Sequence, residues 1–468
     1  MQFEQQIETD LHRVILFASN GEEILVRQDH ARLDLPAVPV PRQQRVAENL
    51  TAFLRREWSQ DAVSLFALDP SSINSETCYQ VTESTAAQRS TVAGFRWVSV
   101  STLEESQFEG PEDYTAIANA LARCEEYAAS RGHGPFGRLG WFAELTEWVR
   151  DRIRPAGLTL NGRFTQLNAC PTFSLIRFET NGPAIWFKAV GEPNLREYPI
   201  TLTLAQHFPA FVPRIIATRE DWNGWLAVEV AGSHPTEDSE LGVWTRVATA
   251  LADFQLASVG QTLHLLDTGC RDARVCTLLE LVEPFLEVMS KLMERQTKES
   301  PPPLSRNQLL ALQTQLQDIL SEARNSEIPN AIGHLDFNPG NIVESHDHCV
   351  FLDWAEAGVG HPFFTFQYLL EHLRRVRQED HSWEHLMVST YANSWQSFVS
   401  PRAISKALSV SPLLAVFAYG VCGDSWRDPM HRNRAESAPH LRSLTRRMKR
   451  EADLLVAGEA YTGALCLR

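Results

Sequence analysis

The sequence has no Cys-x-x-Cys pair, although it contains eight cysteines. They lie scattered at positions 78, 124, 170, 270, 276, 349, 422 and 466, several inside apolar runs. That distribution reads as buried free thiols in a reducing compartment, not as a disulfide framework or a zinc ribbon. The fifteen histidines show neither His-Glu-x-x-His nor Cys-x-x-Cys…His spacing, so no zinc site is assigned. Positive charge is scarce: 43 Lys+Arg stand against 58 Asp+Glu, a formal net charge of −15. Broad nucleic-acid affinity rests on basic surfaces and is not expected. No apolar run approaches the length of a membrane span, and the opening MQFEQQIETDLHR is acidic and polar, unlike a secretory signal. The expectation is a cytoplasmic protein that binds neither membrane nor nucleic acid. No internal repeat or low-complexity segment stands out.

What is present is a chain of 468 residues, 44% of them apolar, enough for two or three domains with real cores. Its richest stretch is Gly333–Trp354, GHLDFNPGNIVESHDHCVFLDW. His334-x-Asp336 is followed by Asn341 and then by a second acid, Asp353. Asn338-Pro339-Gly340-Asn341 cannot continue a helix, so Asp336 belongs in a loop. Cys349–Asp353 is a short apolar run that predicts a buried strand with the acid at its end. A loop acid, a loop amide and a strand-end acid can converge on one point. Phosphoryl transfer from a nucleotide uses such a group: one carboxylate takes the acceptor's proton, while an amide oxygen and a second carboxylate hold Mg²⁺.

HLDFNPGN followed by FLDW resembles the catalytic and metal-binding loops of the aminoglycoside phosphotransferase and choline kinase family. The resemblance implies a small-molecule kinase on the protein-kinase fold. It makes Asp336 the catalytic base, Asn341 and Asp353 the Mg²⁺ ligands, and His334 a structural member of the catalytic loop. Upstream, Ala184–Val190 (AIWFKAV) is an apolar strand that contains Lys188, and Leu195–His207 is a predicted helix with Glu197 near its start. A lysine in an apolar strand needs a partner for its charge, unless it lies at an edge with its ammonium in water. In the kinase fold such a lysine contacts the α/β-phosphates and pairs with a helix glutamate, the roles that Lys188 and Glu197 match. Trp225–Val230 is the expected last strand of the N-lobe, leading into the hinge. Glu229 and Val230 are placed at the nucleotide by position alone.

The sequence departs from the kinase pattern in two places. The turn at Asn168-Ala169-Cys170-Pro171-Thr172 has no glycine where protein kinases cover the phosphates with a Gly-rich loop. Thr172 and Ser174 are the hydroxyls available there. After Trp354, His361 precedes the proline where the family has an acid, and Thr365 or Phe366 replaces a second acid. Further on, helical patches carry Glu371, Glu379, Asp380, Glu384, Asp424 and Asp428, acids of the type that can hold an ammonium group of an acceptor.

In front of the kinase-like part, residues 1–130 present strand-like runs at Arg13–Phe17 and Glu23–Arg27 about Asn20-Gly21. Helical character at Ala47–Trp58 follows, then strands at Ser64–Leu68 and Phe95–Val100, then a helix over Asp113–Ser130. The layout resembles the Nudix hydrolase fold. The metal-binding helix of that family is not matched: Ala37-Val38 stands for Gly-Gly, and Glu48 and Glu57 lie nine apart instead of forming a Glu pair. A working pyrophosphatase site is not expected.

The expected fold is therefore α+β. A β-rich N-lobe (158–232) and a helical C-lobe (233–468) are preceded by a separate Nudix-like α/β domain (1–130) and a connecting helix (131–157). The expected function is transfer of the ATP γ-phosphoryl group to a hydroxyl of a small molecule with Mg²⁺ as cofactor, and the acidic net charge is compatible with a cationic acceptor. A second reading is a non-catalytic nucleotide sensor or scaffold with a ligand-binding front domain. The missing Gly loop favours it and the complete catalytic set disfavours it. A third, hydrolysis by the front domain, lacks the glutamate pair.

Overall fold

The computed structural model describes residues 8–29, 32–69, 77–85, 94–129, 134–377, 382–432, 434 and 436–458. They fall into two compact units. The first comprises residues up to Tyr198 together with Arg214–Glu229; the second comprises Pro199–Pro213 and everything from Val230 onward.

The first unit holds two sheets. Its front sheet contains β1 (Thr9–Phe17), β2 (Glu23–Asp29), β3 (Arg32–Asp34), β4 (Ala37–Pro41), β5 (Ala62–Ala67), β6 (Cys78–Ser84) and β7 (Phe95–Ser99). The order is β3-β2-β1-β6-β5, with β4 alongside β1 and β7 alongside β2. β1 runs parallel to β6 and antiparallel to β2 and β4. Because strand side chains alternate, the RVILF run of β1 feeds two cores. Val14 and Leu16 pack with α1 (Val46–Trp58) through Leu50, Leu54 and Trp58. Ile15 and Phe17 pack on the other face with α2 (Pro111–Ala129) through Ala116, Ile117 and Ala120.

β4 was not foreseen, because Ala-Val-Pro-Val-Pro carries two prolines. Val38 and Val40 are buried while Pro39 is exposed, so the alternation survives and the prolines occupy the outer face. A buried polar cluster ties these elements together. Asp113 of α2 accepts from the Tyr79 hydroxyl (2.7 Å), from Arg13 (2.9 Å) and from the Leu35 backbone N–H (3.1 Å).

The second sheet contains β8 (Leu160–Cys170), β9 (Phe173–Thr180), β10 (Ile185–Ala189), β11 (Ile215–Arg219) and β12 (Gly224–Val228), ordered β11-β12-β10-β9-β8. Between the sheets in sequence lies α3 (Trp141–Ile153). Its Trp141, Phe142, Leu145, Val149 and Ile153 recur at three- and four-residue steps and are buried. They join Ile15 and Phe17 of the front sheet and Phe164, Phe178 and Phe187 of the second in one continuous core. Gln166 of β8 adds a polar clasp: its amide accepts from Ser64 N–H (2.7 Å) and donates to Ser64 C=O (3.0 Å). The sequence-based boundaries at 130 and 158 fall inside this unit, and its core runs across both.

The second unit is mainly helical. α4 (Glu197–His207) enters it, followed by α5 (Leu241–Ser258), α6 (Thr262–Thr268), β13 (Arg271–Ala273), α7 (Val275–Glu294) and α8 (Arg306–Ala323). Ser305 and Gln308 form a capping box that starts α8 after the Pro301-Pro302-Pro303 break. Short strands β14 (Ala331–His334), β15 (Ile342–Glu344), β16 (Cys349–Phe351) and β17 (Ala357–Gly360) precede α9 (Phe363–Val376), α10 (Ser382–Trp395), α11 (Pro401–Cys422), α12 (Pro429–Arg432) and α13 (Ser437–Ala457). One core gathers α5, α9 and α10 around Trp244, Phe254, Phe366 and Tyr391; a second gathers α7, α8, α11 and α13 around Phe285, Leu312 and Phe417.

α11 corrects the expectation about apolar length. It has the length and composition to cross a membrane, but 72% of its apolar window is buried inside the protein, so a two-sided core accounts for its hydropathy. Of the candidate acids, Glu379 and Asp380 lie outside the described residues.

One buried acid gives the first unit a testable pH response. Glu83 is 2% exposed at the end of β6, and both its oxygens receive the Gly140 N–H that opens α3 (3.0 and 3.1 Å). Burial raises its pKa from 4.5 to about 8, against the lowering effects of Gly140 and Arg138. Between those values the folded state holds more protons than the unfolded one, so Glu83's contribution to stability declines as pH rises from about 5 to about 8. Glu83→Gln should flatten that slope and raise the melting temperature at pH 8. An unchanged pH profile in thermal unfolding would remove Glu83 as its source.

Candidate functional site

Lys188 sits mid-strand in β10, in register with Leu175 of β9 and Trp225 of β12. Its side chain is 13% exposed, and its ammonium donates to Glu197 at 2.5 Å; Glu197 is 2% exposed. The rings of Phe173 and Trp225 flank the ammonium at 6.0 and 5.9 Å. The pairing foreseen from sequence is thus formed within the first unit, and breaking it would leave an uncompensated buried charge.

The β8–β9 turn is only Pro171-Thr172, with Cys170 Sγ 3.5 Å from Thr172 Oγ1. The sequence reading noted the lack of glycine in this turn and missed the glycine that faces it. A Cβ on Gly191 would lie 2.6 Å from both the Cβ and the carbonyl oxygen of Thr172. Ser174 is fully buried, and its hydroxyl has no hydrogen-bond partner among the described residues.

Glu229 is committed locally. Its carboxylate takes a bidentate grip from Arg177 (2.6 and 2.9 Å) and a bond from Trp186 Nε1 (3.1 Å), which hold its pKa low, and its backbone N–H donates to Ala184 C=O (2.9 Å). Val230 opens the second unit. After it, Ser233 exchanges backbone hydrogen bonds with Glu344 of β15 (2.9 Å each way). Gly232 has φ +143°, and a Cβ there would meet Glu344 O at 2.6 Å, so this approach requires glycine.

The second unit brings His334, Asp336, Asn341 and Asp353 together through backbone register. β14 pairs with β17 so that His334 opposes Ala357, and Leu335 N–H donates to Glu356 C=O (3.0 Å). β15 pairs with β16, Ile342 opposite Phe351, and one step beyond it Leu352 N–H donates to Asn341 C=O (2.8 Å). Asn341 therefore lies beside the residue that precedes Asp353. Asp336 is exposed in the turn after β14. Asn341 Nδ2 donates to the Asp336 carbonyl (2.9 Å), and Asn338 Nδ2 donates to Asp336 Oδ1 (3.0 Å) while its own Oδ1 receives Gly340 N–H (2.9 Å). Asn338 was read from sequence only as a helix breaker; here it orients the candidate base.

Asp353 leaves β16 with φ 61°, the left-handed region that non-glycine residues seldom adopt. His334 is 1% exposed, and its Nε2 faces Leu352 C=O at 3.0 Å. Burial holds its pKa down, against the pull of Asp353 and Asp336, so the ring is the neutral form and donates from Nε2. It braces the strand that ends at Asp353. Its own backbone N–H donates to Thr365 Oγ1 (2.9 Å). Thr365, a departure from the family pattern, thus supports the candidate catalytic loop. His361, the other departure, is buried against Phe364 (5.2 Å between ring centroids), and burial lowers its pKa to about 4.

The donor set suits a magnesium ion. Asn341 donates from its amide nitrogen to the Asp336 carbonyl, which leaves its oxygen as the group to offer, with Asp336 and Asp353 as the candidate carboxylates. A few hard oxygens that leave room for water and phosphate are what Mg²⁺ takes. Among the described residues no group of three or more His, Cys, Asp or Glu side chains gathers to hold a metal.

Two of the candidate acids on the C-terminal helices have cationic partners. Glu371 pairs with Arg447 and Glu384 with Arg374, while Asp428 receives the Met430 N–H (2.8 Å). Thr365→Val should leave the buried His334 N–H unpaired, destabilise the protein by about 1–3 kcal/mol and lower kcat more than nucleotide affinity. Unchanged turnover in a folded Thr365→Val protein would remove Thr365 from the loop's support.

Residues 192–391 match the model of the phosphotransferase enzyme family. That span takes in Glu197, Glu229, Val230, His334, Asp336, Asn341 and Asp353, but not Lys188, Asp424 or Asp428. No curated protein matches the chain. Among solved structures, an ethanolamine kinase of Plasmodium vivax is 11% identical, covers 73% of this chain and 96% of its own, and superposes with a TM-score of 0.47. A choline kinase of Streptococcus pneumoniae is 13% identical over 67% of this chain and 99% of its own, with a TM-score of 0.42. A macrolide 2′-phosphotransferase of Brachybacterium faecium is 15% identical over 63% and 97%, with a TM-score of 0.41. With its sheet-rich first part and helical second part, the chain is of the α+β class. Residues 192–391 therefore carry a phosphotransferase-family domain.

Proposed function

We propose that the protein is a small-molecule kinase that transfers the γ-phosphoryl group of ATP to a hydroxyl group. The observation that carries this reading is the loop within the matched span where Asn338 and Asn341 hold Asp336 by its carboxylate and its carbonyl. A base so restrained is pre-oriented for the proton it must accept.

In the proposed reaction the acceptor oxygen attacks the γ-phosphorus, the bond to the ADP oxygen breaks, and the acceptor's proton passes to Asp336. Lys188, held by Glu197, binds phosphate oxygens as a fixed positive charge. Asn341 and Asp353 would hold Mg²⁺, which when bound would neutralise charge on the phosphates. His334 keeps the Leu352–Asp353 backbone in place and stays neutral. Positioning and charge supply the rate enhancement, since the protein contributes little covalent chemistry.

Asp336→Ala should lower turnover by roughly 10²–10⁴-fold with Mg²⁺-ATP affinity retained, measured by ADP release and calorimetry. Turnover at the parent rate would take Asp336 out of the mechanism. Mg²⁺-ATP at about 100 times its Kd should raise native stability by roughly 2.7 kcal/mol, and Asp353→Ala should abolish the Mg²⁺-dependent part of that rise in a thermal shift. The same rise in Asp353→Ala would rule out the metal role. Nucleotide binding without transfer to any acceptor would instead describe a sensor.

A further inference from the structure

If Asp336 takes the proton, the acceptor stands beside it, and the neighbouring side chains of the second unit bear on what that acceptor is. We propose that it is a hydroxyl compound without an amine that is cationic at neutral pH, such as a polyol, a nucleoside or a hydroxy acid. This inference rests on the kinase reading above and narrows its substrate class.

The carboxylate nearest to the Asp336 loop by backbone contact is Glu356, whose carbonyl holds Leu335 N–H. Its side chain is already taken. Arg271 reaches both of its oxygens, Nη2 to Oε1 at 3.1 Å and Nε to Oε2 at 2.9 Å. Arg271 is only 11% exposed. It is fixed by β13 pairing beside Gly358 and donates from Nη1 to the Cys422 carbonyl at the end of α11 (2.5 Å). Next along β13, Asp272 takes a bidentate grip from Arg274 (2.9 and 2.7 Å) and the Thr277 hydroxyl (2.8 Å).

One turn before Cys422, Tyr419 is 41% exposed, an aromatic face open to a ligand. Burial pushes its phenol pKa up, and Asp336 and Glu356 push it further, so it stays a neutral hydroxyl. Its ring lies 6.3 Å from that of Tyr368, which donates to Ala415 C=O (2.8 Å). Three residues beyond Tyr368 on α9, Glu371 is paired with Arg447.

An ammonium group gives up hydration when it enters a pocket and needs a carboxylate with charge to spare. Among the described residues on this path, Glu356, Asp272 and Glu371 each face a guanidinium of their own. Asp336 and Asp353 are reserved for the proton and the metal. Tyr419 by itself would serve a sugar ring, a base or a cation equally well. The compensated carboxylates decide against the cation.

The test uses the full chain with Mg²⁺-ATP. ADP release would be measured with neutral polyols and nucleosides, with hydroxy acids, and with choline and kanamycin as singly and multiply cationic probes. At least one amine-free acceptor should show a kcat/KM 100-fold or more above both cationic probes. Arg271→Met, which uncovers the Glu356 charge, should shift that ratio at least tenfold toward the cations. Glu356→Gln keeps the shape and should shift it toward the hydroxy acids, which guards against misfolding of the arginine variant. Tyr419→Ala should raise the acceptor KM at least tenfold with the ATP KM unchanged, and Tyr419→Phe should restore most of the loss.

Choline or kanamycin turned over as well as the best amine-free compound would overturn the inference and leave the kinase reading standing. Failure of every amine-free acceptor in a protein that binds Mg²⁺-ATP would overturn it too. Absence of Mg²⁺-ATP binding would instead overturn the kinase reading itself.

Discussion

The candidate site depends on one constraint, the register of two short hairpin-like pairings. β14 against β17 and β15 against β16 are each only three or four residues long, yet they fix where Asp336, Asn341 and Asp353 emerge. A slip of one residue in either pairing would turn a functional side chain to the opposite face. The register is held from outside by three contacts: Thr365 on the His334 backbone, His334 on the Leu352 carbonyl, and Ser233 zipped to Glu344. Such short strands have little intrinsic stability, and their persistence rests on the helices packed around Phe254, Phe351 and Trp354.

A different logic governs the first unit. Lys188 and Glu197 form a nearly dry ion pair whose geometry comes from the sheet on one side and the start of a helix on the other. The sheet is in turn anchored by α3, whose aromatic stripe belongs to the same core as the front sheet. The front sheet thus supports the strand that presents Lys188, whatever further role it has.

Much of this was legible in the sequence because the candidate residues follow a fixed order and spacing. Lys188, Glu197, Asp336, Asn341 and Asp353 were named from spacing and resemblance, and the structure forms the Lys188–Glu197 pair and the Asp336–Asn341 contact. The long amphipathic helices were also plain, since Leu-rich stripes at helical spacing leave little choice. What escaped were features that exist only in three dimensions. β4 was hidden by its prolines, whose local signal is that of a loop. Asn338 and Thr365 act through hydrogen bonds to residues that sequence distance does not reveal. The arginine partners of Glu356, Glu371 and Glu384 come from 10 to 85 positions away, so an acid read alone looks available when it is already engaged.

The Val-Pro-Val-Pro strand has a consequence beyond its core packing. Among the described residues β4 pairs only with β1, on one side, which leaves a sheet margin of the kind that recruits strands from other molecules. A proline has no amide hydrogen to offer an incoming chain, and two of them in five residues interrupt the ladder that cross-molecular β-association needs. The residues that concealed the strand from a sequence reading therefore also guard it against aggregation at high protein concentration.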